Sequence, residues 1–282
     1  MVALHREIRI AVGLVLACAC VSVAPLVWAA EPFVSHCTTP SFPGKAVAVD
    51  SRCGIDGTPG GHEVEQNRLK NNFCAGGTPE IVSFSHLRDL QVKVEKNSQI
   101  NFGDRANPGA RGPTTDRAPL MELGEGKLVQ IRGFVLLAKQ EGDESVNCGK
   151  DFDDEEHKNL FHDIHIALVE TSALAGADPN DKASHEAAEC KGIVVEMSPH
   201  HRPPEWTAGH INQVAHARLP IRVTGHLFFD SSHVPCDGDQ EVRTNPRRMS
   251  LWEIHPIYKF EVCTAGCSGA GTWLPLEEWK PK

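Results

Sequence analysis

Apolar and polar positions alternate most clearly in the second half of the chain. In KLVQIRGFVLLAK (127–139), Val129, Ile131, Gly133, Val135 and Leu137 fall on one side of an extended segment, which predicts a strand. LFHDIHIALVE (160–170), GIVVEMSP (192–199), IRVTGHLFFD (221–230) and SLWEIHPIYKFEVC (250–263) read as four more strands. Between the third and fourth lies RPPEWTAGHINQVAHARLP (202–220), whose early prolines suit a first helical turn and which predicts a helix of about three turns. Gly133 and Gly225 sit mid-strand, where a missing side chain permits a sharp bend. Five bent strands with one helix between the third and fourth predict a mainly β fold, a Greek-key barrel of the OB type. A β-sandwich would need more strands and no helix at that place.

The first half has a different texture. HEVEQNRLKNNFC (62–74) and FSHLRDLQVKV (84–94) each predict a short helix, and the Gly/Pro/Asn/Arg stretch 101–119 predicts a loop. Too few large apolar residues occur over 31–118 to bury a core, so this irregular extension is expected to wrap the barrel. Within the barrel region, 140–159 reads as a long acidic loop and 171–190 as a polar loop. The division is therefore 1–30, 31–118 (extension), 119–265 (barrel) and 266–282 (C-terminal tail).

Residues 1–30 carry Arg6 and Arg9, an apolar run from Ile10 to Ala30 and a small-residue cleavage site at Val27-Trp28-Ala29, the pattern of an export signal. An uncleaved membrane anchor is the alternative, since the run is long enough to span a bilayer. Once the signal is removed, no membrane association is expected and the location is the periplasm or outside the cell. The chain has net charge −9, which argues against nucleic acid as a partner, because affinity for phosphate chains comes from counterions released at Lys and Arg. A small molecule, sugar or peptide fits better. Of ten cysteines, Cys18 and Cys20 leave with the signal, and Cys37, Cys53, Cys74, Cys148, Cys190, Cys236, Cys263 and Cys267 remain. An even number in an exported chain predicts up to four disulfides, and no tight C-x-x-C pair points to zinc instead.

The run HDIHIALVE, IVVEMSP, VTGHLFFDSSH and WEIHPIYKFEVC (within 160–263) resembles a set of poorly characterised exported bacterial proteins. These share an H-[LI]-x-L strand, a [VI]-x-E strand, a V-T-G-x-x-F-F-D-x-x-H segment and a closing E-[LI]-H-P-[VI] strand. The resemblance implies an OB-like fold and export and brings no established activity. The cysteine-bearing extension and the long acidic first loop depart from it.

Candidate chemistry follows from strand parity. Asp163 and His165 share a face, as do Glu253 and His255, and the OB strand order places Glu196 between the two pairs. With neighbouring strands about 4.8 Å apart, these five form a patch three strands wide, opposite a core face of Ile164, Ile166, Leu168, Ile193, Val195, Met197, Trp252, Ile254 and Phe260. The patch is expected on the outside, near the usual ligand surface. It is compatible with a structural ion network, with a divalent metal site (zinc or manganese), or with a metal-free polar ligand face. The corresponding functions are a binding or scaffolding protein of unknown ligand, or a metal-dependent hydrolase of phosphodiesterase or nuclease type. Secondary candidates are His226, Asp230 and His233, of which His226 and Asp230 share strand parity and either join the patch, form a separate one or, as expected, lie in solvent, and Arg243, Arg247 and Arg248, placed to greet an anion. The acidic run 151–156 reads as a solvated loop rather than a calcium site. Parallel third and fifth strands bring Cys190 and Cys236 to one barrel end and Cys148, Cys263 and Cys267 to the other, while Cys53 and Cys74 would close the extension locally.

Overall fold

The computed structural model describes residues 54–57, 64–103, 117–142, 146, 161–236 and 247–281. Cys37, Cys53, Cys148, Arg243, the acidic run 151–156 and the segment 1–30 lie outside the described residues.

The chain enters through helix α1 (Val64–Lys70), a two-residue strand β1 (Glu80–Ile81), helix α2 (Phe84–Lys96) and helix α3 (Ala118–Leu123). The barrel strands are β2 (Leu128–Gln140), β3 (Ile164–Val169), β4 (Ile193–Met197), β5 (Pro220–Phe229) and β6 (Trp252–Ala265). β2 pairs antiparallel with β3 and β5, β3 with β4, and β5 with β6. Closure comes from the parallel pair β4–β6, at Val195↔Ile254. This closed five-stranded barrel has the strand order that the OB reading predicts. The expected apolar face forms its core: Ile164, Ile166, Leu168, Ile193, Val195, Met197, Trp252, Ile254 and Phe260 are all buried in one cluster.

Ser83 caps α2 by accepting from the His86 amide, and the helix buries Leu87, Leu90 and Val94, spaced along one face, in the barrel's own cluster. This described part of the extension therefore packs on the barrel. The helix between the third and fourth barrel strands, read over 202–220, spans Ala208–Ala217 and starts at the Thr207 cap.

Besides the short β1 and α3, two segments differ from the expectation. The polar stretch 171–190 is not a plain loop. It folds into α4 (Ser172–Ala175) and α5 (Lys182–Glu189), because Thr171 and Asp181 accept hydrogen bonds from first-turn amides. The helix at Ala208–Ala217 is thus α6. The C-terminal segment adds strand β7 (Thr272–Pro275), antiparallel to β6, and Leu276 and Trp279 beyond it reach the core. Disulfides join Cys190 to Cys236, as the topology predicts, and Cys263 to Cys267. Cys74 is also disulfide-bonded. Among the described residues, no helix is long and apolar enough to cross a membrane.

Candidate functional site

Asp163, the residue before β3, and His165 within it point away from the core, because side chains alternate along a strand and Ile164 and Ile166 take the inside. His165 lies opposite Glu196 in the β3–β4 register. The parallel pair Val195↔Ile254 sets Glu196 beside Glu253 and His255 of β6. All five expected residues therefore meet on one outer face of the barrel.

Their contacts form an alternating series of acids and imidazoles. His165 Nδ1 is 2.9 Å from Glu141 Oε1, and its Nε2 is 2.8 Å from Glu196 Oε1. Glu196 Oε2 is 2.8 Å from His255 Nδ1, and His255 Nε2 is 3.5 Å from Asp163 Oδ2. Glu253 Oε2 stands 4.0 Å from His255 Nδ1 while Oε1 meets Arg248. Although the side chains of Glu196 and His255 are buried, neither makes an aligned hydrogen bond. One donor atom each from Asp163, Glu196 and His255 falls within 4.8 Å of the other two. Two ligands bound tetrahedrally at about 2.1 Å would be about 3.4 Å apart, close to the 3.5 Å between His255 Nε2 and Asp163 Oδ2.

One expectation is corrected here. The patch lies outside the barrel but not at an open ligand surface, since Asp163, Glu196, Glu253 and His255 have no solvent exposure. The segment after α1 covers this side of the barrel. Phe73 stacks at 6.0 Å on Tyr258 and meets His201 edge-on at 5.2 Å. The Tyr258 hydroxyl donates to the Asn72 carbonyl and accepts from the Ala75 amide. Ser198 donates to Asn71, and Gln66 Nε2 donates to Ser232.

His226 and Asp230 are likewise buried rather than solvated. A ring nitrogen of His226 lies 2.9 Å from the His255 carbonyl, and burial brings its pKa down to about 4. Asp230 contacts His233 and lies 3.5 Å from Arg248. Burial works to raise the Asp230 pKa, but the charges of His233, Lys70 and Arg248 hold it below its ordinary value. Arg248 does not greet an outside anion; it is fully buried between Asp230 and Glu253. Arg247 faces Glu186 and Glu189 of α5, at 2.8 and 3.8 Å.

The two central glutamates are driven apart. Burial and the charge of Glu196 push Glu253 well above the ordinary carboxyl range despite Arg248. For Glu196 the burial effect is outweighed by His165, His255 and Lys70, which hold it well below that range. Glu196 is thus the ionised centre of the cluster.

Sequence reasoning missed Lys70, Glu141 and Arg202. Lys70, at the end of α1, is buried and acts on Glu196, Asp230 and Glu253. Arg202 donates to the carbonyls of His162 and Met197 at 2.8 and 3.0 Å, and burial, opposed by Asp163, lowers its pKa to about 10. Only Glu141 carried a local signal, as the first acid past β2.

No family model, curated protein or solved structure matches this chain. A functional reading therefore rests on the geometry of this cluster.

Proposed function

We propose that the chain is an exported binding or scaffolding protein whose OB barrel holds a divalent metal ion, zinc or manganese, at Asp163, Glu196 and His255. The observation that carries this reading is the convergence of one buried donor atom from each of these residues, all within 4.8 Å of one another. Two carboxylate oxygens and one imidazole nitrogen are a donor set that either ion accepts. Glu196, one of the three, is itself flanked by His165 at 2.8 Å, and partners of this kind orient metal ligands. His165 and Glu141 extend that support outward from Glu196. An ion here ties together β3, β4 and β6. Disulfides at Cys190–Cys236 and Cys263–Cys267 favour an oxidising compartment, hence the periplasm or the outside of the cell.

A hydrolase would need water and a scissile bond to reach the ion. The absence of exposure at Asp163, Glu196 and His255 disfavours that reading. The test is elemental analysis of protein purified without chelator. About one zinc or manganese per chain is expected, lost in His255→Ala and Asp163→Asn. Metal-free wild-type protein, with both variants only less stable, would leave a structural ion network and overturn the proposal.

A further inference from the structure

Away from the charged cluster, a groove of about 680 Å³ opens between the C-terminal end of α6 and the segment that follows β6. Its apolar wall includes Leu219, Leu274 and Trp279, and its polar groups include His216 and Lys280. The wall is held in place. Trp279 is buried and stacks on His210 at 5.5 Å, a ring nitrogen of His210 is 3.1 Å from the Trp279 carbonyl, and neighbouring Leu276 sits in the core.

Charge identifies the occupant. Against the chain's net charge of −9, a groove lined by basic side chains stands out. Among the described residues no carboxylate lines this groove, whereas Lys280 and His216 do. Its volume lies within the range of roughly 300–1,000 Å³ typical of small-molecule sites. Apart from those two residues, Gln213, Thr264 and the Trp279 indole N–H supply the side-chain hydrogen-bonding groups, few for the many hydroxyls of a sugar.

We propose that this groove binds a small organic acid with an apolar body, its carboxylate at Lys280 and His216 and its hydrocarbon against Leu219, Leu274 and Trp279. The groove lies apart from the proposed metal centre, so the test is run on the full chain as purified, without chelator, and its failure says nothing about the metal. Calorimetric titration with decanoate should saturate at one per chain below about 1 mM. Decanol should bind at least about ten-fold more weakly. Lys280→Glu should weaken decanoate by a similar factor. Ala217→Trp, which fills the groove from an exposed position of α6, should abolish binding while leaving the melting curve in place. Absence of decanoate binding up to about 1 mM, equal binding of decanol, or binding retained in Ala217→Trp would each overturn the proposal.

Discussion

At the scale of single residues, the molecule places an unusual amount of charge out of reach of water. Asp230 shows how that charge is tolerated. Burial alone would protonate it, but His233, Lys70 and Arg248 keep it ionised below its ordinary value near 3.8. A carboxyl whose folded pKa is depressed adds stability that is fully present above its unfolded pKa and is lost as pH falls below it. Thermal midpoints measured from pH 6 down to pH 2 should therefore fall through the range near and below 3.8. Asp230→Asn should start from a lower midpoint and show a shallower acid limb. An unchanged acid limb in that variant would mean that other carboxyls carry the acid sensitivity. Parity along a strand made Asp163, His165, Glu196, Glu253 and His255 legible in the sequence, because period two allows no other face for them. Lys70 was not legible. It reaches the cluster from another element, and nothing in its local pattern distinguishes it from a surface lysine.

At the scale of elements, the strands were legible because each buries one apolar face, and their bends because glycine marks them. Gly225 is the clearest case. The β5–β6 register slips on both sides of it, and a Cβ there would lie 2.4 Å from the Pro256 carbonyl oxygen and 2.6 Å from Ile254 Cγ2. Neither neighbour can yield without moving β6, which carries Glu253 and His255. Gly225→Ala should cost about 1–3 kcal/mol in urea unfolding and should lower the content of the proposed metal in the folded protein. Full stability with an unaltered far-UV spectrum would show that the β5–β6 crossing is looser than these distances require. Gly133 has a related role, since its Cβ would meet the Val169 carbonyl at 2.9 Å and the Phe84 ring at 3.0 Å. The elements that escaped the sequence reading are short. α4 has four residues and the apolar positions of α5 are all alanine, so no large apolar residue repeats there, and the caps Thr171 and Asp181 are what announce them. β7 has four residues and pairs with β6 alone, leaving no alternation long enough to read.

At the scale of the whole molecule, the extension and the barrel share one core and one polar network. The fold class and the Cys190–Cys236 pairing were legible because topology fixes which strand ends meet. The sealing of the charged cluster was not, because it depends on where a segment of low hydrophobicity lands. α2 ties the halves together. Leu87 is fully buried in the barrel's cluster, the Ser250 hydroxyl donates to the Leu87 carbonyl, and the Leu251 amide donates to Gln91. Those bonds hold the chain just before Trp252, and so set the start of the strand that carries Glu253 and His255. An extension that merely rested on the barrel would melt first and leave the strands intact. One that shares the core must unfold with them. Leu87→Ala should therefore cost about 2–5 kcal/mol and shift a single transition, coincident by tryptophan fluorescence and far-UV circular dichroism. Two separated transitions in the wild-type chain, with Leu87→Ala moving only the first, would show instead that the barrel and its charged cluster stand without the extension.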